Sequence, residues 1–223
     1  MPSAKTAVIS LDAHDPEPEA IEQAARVIRG GGLVVVPTDT VYGLVADPGQ
    51  LEAVERIYQV KQRGRDLPLS LLLHDMSQVS AYVQDVPELA VRVMQEFWPG
   101  ALTAVVGNCL QTTAAVCAGL DSVGLRLPAH VVPRLVAGSA GCALASTSAN
   151  LSGQPAARTA EDALRQLDGL VALVLDAGPT PLGQESTVVS FVERPPRLLR
   201  AGAISLARLR EALGEVQEKW PPI

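Results

Sequence analysis

The chain has 223 residues, of which 48% are hydrophobic and 19% charged, so it can bury a sizeable core and is not an intrinsically disordered chain. Its net charge of −6 argues against a protein that mainly coats nucleic acid, since that task needs a basic face. The three cysteines have no metal-ligand spacing, no apolar run is as long as a membrane span, and the first residues lack an export signal. These features predict a cytoplasmic protein with reduced thiols.

Strands and helices alternate along the chain. The apolar run 33–36 predicts a strand buried on both faces, which Pro37 ends because proline has no N–H to donate. Gly43 then permits a tight return, Thr159-x-x-Asp162 predicts a capping box, and Ser205 predicts a helix cap. The predicted strands are 6–10, 33–36, 69–73, 101–106, 123–127, 142–145, 170–176, 186–192 and 197–199, and the predicted helices are 16–29, 51–61, 76–82, 87–97, 133–140, 159–167 and 205–213.

No linker, repeat or low-complexity tract marks a boundary, so we predict one α/β domain over residues 1–223 with a mixed sheet. The late strands lack long intervening helices, which predicts some antiparallel pairing. Residues 107–121 are expected to form a loop with a short helix. The tail 219–223 is expected to be loose or packed on the surface.

A group of polar side chains follows the first buried strand, where Thr38, Asp39 and Thr40 come directly after Pro37. A buried strand that opens into a polar corner is a common support for ligand-binding groups in α/β proteins. The alternative is an ordinary strand and turn, and the corner alone does not decide between the two.

Lys61 and Arg63 stand at spacing i, i+2 after a predicted helix. If the chain is extended there, both cations project the same way and can clamp a polyphosphate or a carboxylate. The alternative is that the helix dipole favours basic residues at its C-terminus without any ligand.

Ser148 and Asn150 repeat this spacing after a strand, where a hydroxyl and an amide can donate to phosphate oxygens or to a base edge. The alternative is a polar turn in which Asn150 and Gly153 supply left-handed corners.

Arg126 lies within an apolar strand. Because an unpaired buried arginine is costly, it either faces a cleft or pairs with an acid.

Two further polar steps adjoin apolar strands. Residues 183–189 lead into one of them, and Arg200 and Gly202 stand at the end of another, although each step also suits plain turn chemistry. His14, His74 and His130 have no metal-ligand spacing. The sequence contains no Walker or dinucleotide fingerprint.

Eight segments, taken together and in this order, resemble the YrdC family, whose best-known members are L-threonylcarbamoyladenylate synthases. Any one segment is loose, but the ordered set is highly specific, and it covers roughly residues 20–213. The segments are Pro37-Thr38-Asp39-Thr40-Val41-Tyr42-Gly43-Leu44, Lys61-x-Arg63, Pro68-Leu69, Trp98-Pro99-Gly100-Ala101-Leu102-Thr103, Arg126-x-Pro128-x-His130, Ser148-Ala149-Asn150-Leu151-Ser152-Gly153, Glu185-Ser186-Thr187-Val188-Val189 and Leu199-Arg200-x-Gly202.

The resemblance implies an α/β fold in which a twisted mixed β-sheet, flanked by helices, encloses a concave cationic cavity. It also implies a nucleotidyltransferase reaction. L-Threonine and bicarbonate or CO₂ form a carbamate, whose oxygen attacks the α-phosphorus of ATP to give threonylcarbamoyl-AMP and pyrophosphate. Mg²⁺ would accompany the phosphates, bound mostly by substrate and water. A partner threonylcarbamoyl transferase would pass the group to an adenosine beside the anticodon of tRNA.

The resemblance further implies roles for particular residues. Adenylyl transfer needs positioning and neutralisation of phosphate charge, so we expect no protein nucleophile, and Lys61 and Arg63 would supply the charge. Arg126 would pair with the carboxylate of threonine, and Ser146 would lie between the two ligands. ATP would be held by Lys61, Arg63, Ser122, Ser148, Asn150 and Arg200, and threonine by Thr40, Arg126, Ser146 and Ser186.

The chain departs from the family pattern in the part that forms the threonine pocket. Some relatives carry a polar residue in place of Leu67 and a histidine in place of Leu72, and His74 is out of step by two positions.

Two other functions remain open. One is a carbamoyl-adenylating enzyme that uses carbamoyl phosphate, and the other is a nucleotide- or RNA-binding paralogue without turnover. The sequence also leaves direct contact with tRNA open.

Overall fold

The structure is a computed structural model that describes residues 5–110 and 114–218. Its helices are α1 (Pro18–Arg29), α2 (Leu51–Lys61), α3 (Glu88–Phe97), α4 (Val131–Ala140), α5 (Ala160–Leu167) and α6 (Leu206–Leu213), with a 3₁₀ helix at Met76–Ala81. Its strands are β1 (Ala7–Ser10), β2 (Val34–Val36), β3 (Gly43–Ala46), β4 (Ser70–Leu72), β5 (Leu102–Gly107), β6 (Ser122–Arg126), β7 (Leu144–Ser148), β8 (Leu173–Asp176), β9 (Thr187–Ser190), β10 (Arg197–Arg200) and β11 (Gln217–Glu218).

The helix signals in the sequence are confirmed at several ends. Thr159 and Asp162 form the predicted capping box of α5, and Ser205 caps α6 through the backbone N–H of Arg208. Helix α4 begins two residues before the predicted start. The Nδ1 atom of His130 accepts from the N–H of Val132, and this side-chain cap fixes the earlier boundary.

Several local predictions were wrong. Gly43 does not make a tight return but opens strand β3, which pairs antiparallel with β2, so Val36 faces Gly43 across a loop. Strands β3 and β11 were not predicted. The described residues within 107–121 form turns after β5 rather than the expected short helix, while 111–113 lie outside the described residues. The prediction for the tail 219–223 also falls outside them.

The described strands form one mixed sheet, which confirms the predicted fold class. Its order is β1-β8-β2-β3-β7-β4-β6-β5-β9-β10-β11. Strand β3 pairs antiparallel with β2 and β7, β4 pairs parallel with β6, and β5 pairs parallel with β9. The late pair β9 and β10 is antiparallel, as the short connection predicted. The extent of the domain, 1–223, stays a prediction.

Side chains alternate between the two faces of the sheet, and the two faces differ. One face packs against α2, α3, α5 and α6 in the larger core, to which the central strands contribute Leu71, Ala104, Leu125, Ala145 and Val189. Each fully buried leucine or valine side chain among them contributes about 2 kcal/mol. The other face is covered by α1 and α4 only over a smaller core that includes Val34, Val45 and Leu144. The remainder of that second face lies open.

The helices of the described part of the chain are short. None of them combines the length and apolar character that a membrane-spanning helix requires.

Candidate functional site

The open part of the second sheet face forms a cavity of about 800 Å³. Much of its wall consists of alternate residues on successive strands, the ones left over when their neighbours point into the larger core. These residues are small or hydroxyl-bearing at many positions, which leaves room for a ligand. The strand residues that line it are Gly43 on β3, Ser70 and Leu72 on β4, Thr103 and Val105 on β5, Ser122, Gly124 and Arg126 on β6, Ser146, Thr147 and Ser148 on β7, Val188 and Ser190 on β9, and Arg197, Leu199 and Arg200 on β10.

Loops complete the wall and bring further charges to it. The loop after β2 contributes Thr40, the loop after α2 contributes Arg63, and the segment before β9 contributes Glu185 and Ser186. Among the described residues, the charged groups that line the cavity are the arginines Arg63, Arg126, Arg197 and Arg200 and the glutamates Glu185 and Glu193. The lining therefore carries more positive than negative groups, although the whole chain is acidic.

Arg126 both faces the cavity and pairs with an acid, so the two alternatives drawn from the sequence hold together. Its Nη2 atom donates to Asp39 Oδ1 at 2.7 Å, its Nη1 atom to Thr40 Oγ1 at 2.7 Å, and its Nε atom to the carbonyl of Gly100 at 3.0 Å. Burial lowers the pKa of Arg126, and the Asp39 charge opposes that effect. A guanidinium has five N–H donors, so one hydrogen on each terminal nitrogen stays available for a ligand.

The polar corner after β2 is fixed by its own hydroxyl groups. Thr38 Oγ1 donates to the carbonyl of Val41 at 2.6 Å and accepts from the N–H of Thr40 at 3.1 Å. The hydroxyl of Thr40 lies 2.9 Å from that of Thr38. Asp39 accepts a further bond from the N–H of Ala129, so it links the corner to the segment after β6. The corner is a buried, rigid support rather than an ordinary turn.

Ser186 and Arg200 contact each other in the cavity wall. The Nη2 atom of Arg200 donates to the hydroxyl and the carbonyl of Ser186 at 2.9 and 3.0 Å, and its Nη1 atom donates to Glu185 at 2.8 Å. The Ser186 hydroxyl also lies 2.8 Å from Thr103 Oγ1. Gly202 lies so close to this segment that an added Cβ would stand 2.5 Å from the carbonyl oxygens of Glu185 and Ser186.

Lys61 and Asn150 lie behind the cavity wall and contact each other. Lys61 Nζ donates to the carbonyls of Ser148 and Asn150, each at 2.6 Å, and to Asn150 Oδ1 at 3.3 Å. Asn150 Nδ2 donates to the carbonyls of Leu151 and Gln154. Burial, followed by the charge of Arg63, lowers the pKa of Lys61 to about 8. Both side chains therefore hold the turn that follows β7.

The prediction that Lys61 and Arg63 project the same way required an extended chain after α2, and the structure does not have one. Gln62 adopts a left-handed conformation with φ of 52°, so Lys61 and Arg63 project differently. Gly153 supplies a left-handed corner, as one alternative from the sequence expected, whereas Asn150 does not. Of the ten residues predicted for the site, all but Lys61 and Asn150 line the cavity. Those that line it are Thr40, Arg63, Ser122, Arg126, Ser146, Ser148, Ser186 and Arg200.

Sequence reasoning missed two residues of this network, Asp39 and Thr103. Asp39 was quoted within the polar corner but given no role, and its distance of ninety residues from Ala129 hides their bond. Thr103 lies on a strand whose alternate residues are apolar. A signal was available: hydroxyl or small residues at every second position of an apolar strand mark a face that is not packed against a core.

A second cavity of about 840 Å³ shares Val41 and Glu185 with the first. It is lined by residues 154–156, Arg158, residues 182–185 and part of α5, and it contains none of the predicted site residues. Within residues 5–110 and 114–218, no group of three or more His, Cys, Asp or Glu side chains is placed to hold a metal ion.

The family of this chain follows from comparison with known proteins. The family model for Sua5, YciO and YrdC proteins, described as "Telomere recombination", matches residues 26–202. The chain belongs to the Sua5/YciO/YrdC family. This assignment confirms the resemblance drawn from the eight sequence segments.

Members of the Sua5/YciO/YrdC family similar to this chain include proteins named threonylcarbamoyl-AMP synthase. The chain is 39% identical over 208 residues to one from Bacillus subtilis, covering 92% of this chain and 59% of that protein. It is 41% identical over 208 residues to a putative one from Mycobacterium leprae, covering 92% and 94%. The chain therefore spans about three fifths of the first relative and nearly all of the second.

The fold also matches a solved family structure, that of Pyrococcus abyssi Sua5 complexed with L-threonine. The TM-score is 0.93 at 34% identity, covering 96% of this chain and 63% of that one. The mixed sheet flanked by helices is therefore the fold that this chain shares with that family structure.

Proposed function

We propose that this chain is an L-threonylcarbamoyladenylate synthase, a nucleotidyltransferase that makes threonylcarbamoyl-AMP and pyrophosphate. One observation carries the proposal. A single cavity brings Arg126 and Thr40 together with Arg63 and Arg200, in a chain that is 34% identical to the Sua5 protein solved with L-threonine. The names of the B. subtilis and M. leprae relatives support the same reaction.

The reaction proceeds in two bond-forming steps. The amine of L-threonine attacks carbon dioxide, forms a C–N bond and loses a proton, which gives a carbamate. A carbamate oxygen then attacks the α-phosphorus of ATP in line with the leaving group, and the bond from that phosphorus to the bridging oxygen breaks to release pyrophosphate. No side chain takes part covalently, so the protein acts by positioning and by neutralising charge.

Threonine occupies the end of the cavity at the polar corner. The two remaining terminal N–H groups of Arg126 donate to its carboxylate as a bidentate pair, because Asp39 and Thr40 hold the guanidinium in place. Thr40, Ser146 and Ser186 contribute hydroxyl groups around the substrate. Leu72 lines this cavity and Leu67 stands at its rim, so the departures from the family pattern make this pocket more apolar than in some relatives.

ATP occupies the end that Arg63, Ser122, Ser148 and Arg200 line. The guanidinium of Arg63 donates to the carbonyls of Leu67 and Pro68 and keeps further N–H groups for phosphate oxygens. Lys61 and Asn150 support the ATP end of the cavity from behind its wall. They fix the turn that carries Ser148, and Lys61 adds positive charge.

Mg²⁺ would accompany ATP and be held mostly by the substrate and by water. The carboxylates that line the cavity are Glu185, which is paired with Arg200, and Glu193, and a donor set this small does not form a protein cage. Such a site fits an ion that keeps substrate and water ligands, as Mg²⁺ prefers. When bound, the ion neutralises charge that develops on the leaving pyrophosphate.

The product is a mixed anhydride, so a second protein must consume it by acyl transfer. A threonylcarbamoyl transferase complex that acts on tRNA adenosine beside the anticodon is the expected partner, in the cytoplasm. These assignments rest on the family resemblance.

The test is pyrophosphate release from ATP, measured with and without L-threonine and bicarbonate. We expect release only when both are present with Mg²⁺. Equal release without threonine would refute the proposal. Binding of ATP without any release would identify a non-catalytic paralogue, and release that needs carbamoyl phosphate instead would identify a carbamoyl-adenylating enzyme.

A further inference from the structure

Two cysteine thiols lie against each other beside the substrate cavity. Cys109 stands just after β5 and Cys117 stands before β6, and the Cys117 thiol donates to Cys109 Sγ at 3.3 Å. Neither residue has a part in the proposed reaction. Cys142 lies elsewhere, at the end of α4, where burial raises the pKa of its thiol to about 12.

The backbone around both thiols is anchored. The N–H of Leu69 donates to the carbonyl of Val116 at 2.9 Å, next to Cys117. On the other side, Cys109 forms an antiparallel bridge with Val83. The two sulfur atoms are therefore held together by contacts with different parts of the fold. A disulfide needs an S–S distance of about 2.05 Å, so small side-chain movements bring the sulfurs within bonding range.

The two thiols differ in access. Cys117 is only 1% exposed, whereas Cys109 is partly exposed. An accessible thiol beside a buried second thiol is the arrangement in which the first meets an oxidant and the second resolves it.

The pair adjoins the rim of the cavity through Leu120. The N–H of Leu120 donates to the carbonyl of Cys117 at 3.0 Å, and the carbonyl of Leu120 accepts from the Cys109 thiol at 3.6 Å. The Leu120 side chain lines the cavity and is 52% exposed. A change at the thiols therefore acts directly on this edge of the site.

We propose that Cys109 and Cys117 form a reversible dithiol–disulfide site at the cavity rim, oxidised by a peroxide. The Cys109 thiol loses its proton and the thiolate attacks one oxygen of hydrogen peroxide. The O–O bond breaks, Cys109 becomes a sulfenic acid, and the hydroxide that leaves takes up the proton to form water. Cys117 then attacks the sulfenic sulfur, the S–S bond forms and the second oxygen leaves as water. A low-molecular-weight thiol reverses the modification by disulfide exchange.

Chemical mapping of the full chain tests the site without any measurement of activity. Protein is treated with hydrogen peroxide, remaining thiols are alkylated, and peptides are identified by mass spectrometry. We expect a Cys109–Cys117 disulfide that a thiol reductant removes, formed about tenfold faster or more than any oxidation of Cys142. Oxidation of Cys142 at the same rate, or overoxidation of Cys109 without a link to Cys117, would overturn the proposal.

Two variants separate the steps. In Cys117→Ser, the sulfenic acid on Cys109 lacks its resolving thiol and should be trapped by dimedone, while Cys142→Ser should still form the disulfide as the natural chain does. Equal trapping in the natural chain and in Cys117→Ser would contradict the resolving role of Cys117.

Hydrogen exchange tests whether oxidation of the two thiols changes the backbone at the cavity rim. We expect slower exchange at residues 114–122 in the oxidised form, and unchanged exchange there would refute the coupling to the cavity edge.

Discussion

At the scale of single residues, the Arg126–Asp39 ion pair has the largest expected effect on both folding and substrate binding. The two side chains are 7% and 9% exposed, and their nitrogen and oxygen atoms lie 2.7 Å apart. Removing one charge from a buried pair leaves the other uncompensated, which costs far more than the loss of an exposed pair.

We predict that Asp39→Asn lowers the free energy of unfolding by about 3 kcal/mol and raises the KM for threonine at least about tenfold, with a smaller change in the KM for ATP. The physical reason is that Arg126 loses both its counter-charge and its fixed orientation. Chemical denaturation and steady-state kinetics measure the two effects. The matched control is Glu161→Gln, which removes an exposed pair with Arg165 and should cost less than about 1 kcal/mol. Equal effects of the two variants would contradict the prediction.

Lys61 gives a second prediction, on pH. Its pKa falls from 10.5 to about 8 in the folded chain, chiefly through burial. Between these values the unfolded state binds more protons, so this residue makes the free energy of unfolding rise with pH. We expect the difference between the natural chain and Lys61→Met to shift by about 3 kcal/mol across that window, in favour of the natural chain at high pH.

The measurement is urea denaturation at several pH values between about 7 and 11. Lys5→Met serves as the control, because it removes a lysine that is exposed rather than buried. Parallel pH curves for the natural chain and Lys61→Met would show that the buried lysine is not discharged by its surroundings.

At the scale of elements, the end of β10 packs closely against the segment before β9, and this close approach requires a glycine. Gly202 follows β10, and the backbone of Glu185 and Ser186 occupies the space that any Cβ would need. The same backbone accepts the hydrogen bonds of Arg200. Strand packing and the position of Arg200 therefore depend on one small residue.

We predict that Gly202→Ala lowers the free energy of unfolding by about 2 kcal/mol and weakens ATP binding, since the strand ends must separate. The control is Gly107→Ala near the end of β5, where the nearest atom to an added Cβ is the Asp121 carbonyl at 3.7 Å, an ordinary contact. Denaturation and ATP titration measure both variants. A similar loss in both would show that the close contacts at Gly202 are not the cause.

At the scale of the whole molecule, the cavity forms where loops from distant parts of the chain meet on one open half of a sheet. Thr40 and Arg63 reach it from the N-terminal half and Ser186 and Arg200 from the C-terminal half. Ligands that bind only the folded chain stabilise it by mass action, so each end of the cavity can be tested separately by thermal shift.

We predict that Arg63→Ala loses most of the stabilisation by ATP, about 2.7 kcal/mol at a hundredfold excess over the Kd, and keeps that by threonine. Thr40→Val should show the reverse, because valine preserves the shape of the side chain and removes only the hydroxyl that faces Arg126. Each variant is the control for the other. Equal losses of both stabilisations in either variant would contradict the division of the cavity into two ends.

Much of the local structure was available from the sequence, because it depends on neighbours along the chain. Pro37 ended a strand, Thr159 and Asp162 began a helix, and the ordered segments gave the family. The open sheet face was visible in principle, as hydroxyl groups at alternate positions of apolar strands. Gly43 was misread, because its pairing with β2 and β7 depends on partners far away in the chain.

The sequence by itself determined the α/β class, most helix bounds, the family and the residue types that surround the cavity. Only the tertiary structure decided which of those residues face it. Lys61 and Asn150 turn toward each other behind the wall, Asp39 pairs with Arg126, and Cys109 meets Cys117. Local patterns fix local geometry, whereas side chains far apart in sequence meet only after the order and register of the strands are set, and no short pattern encodes that order.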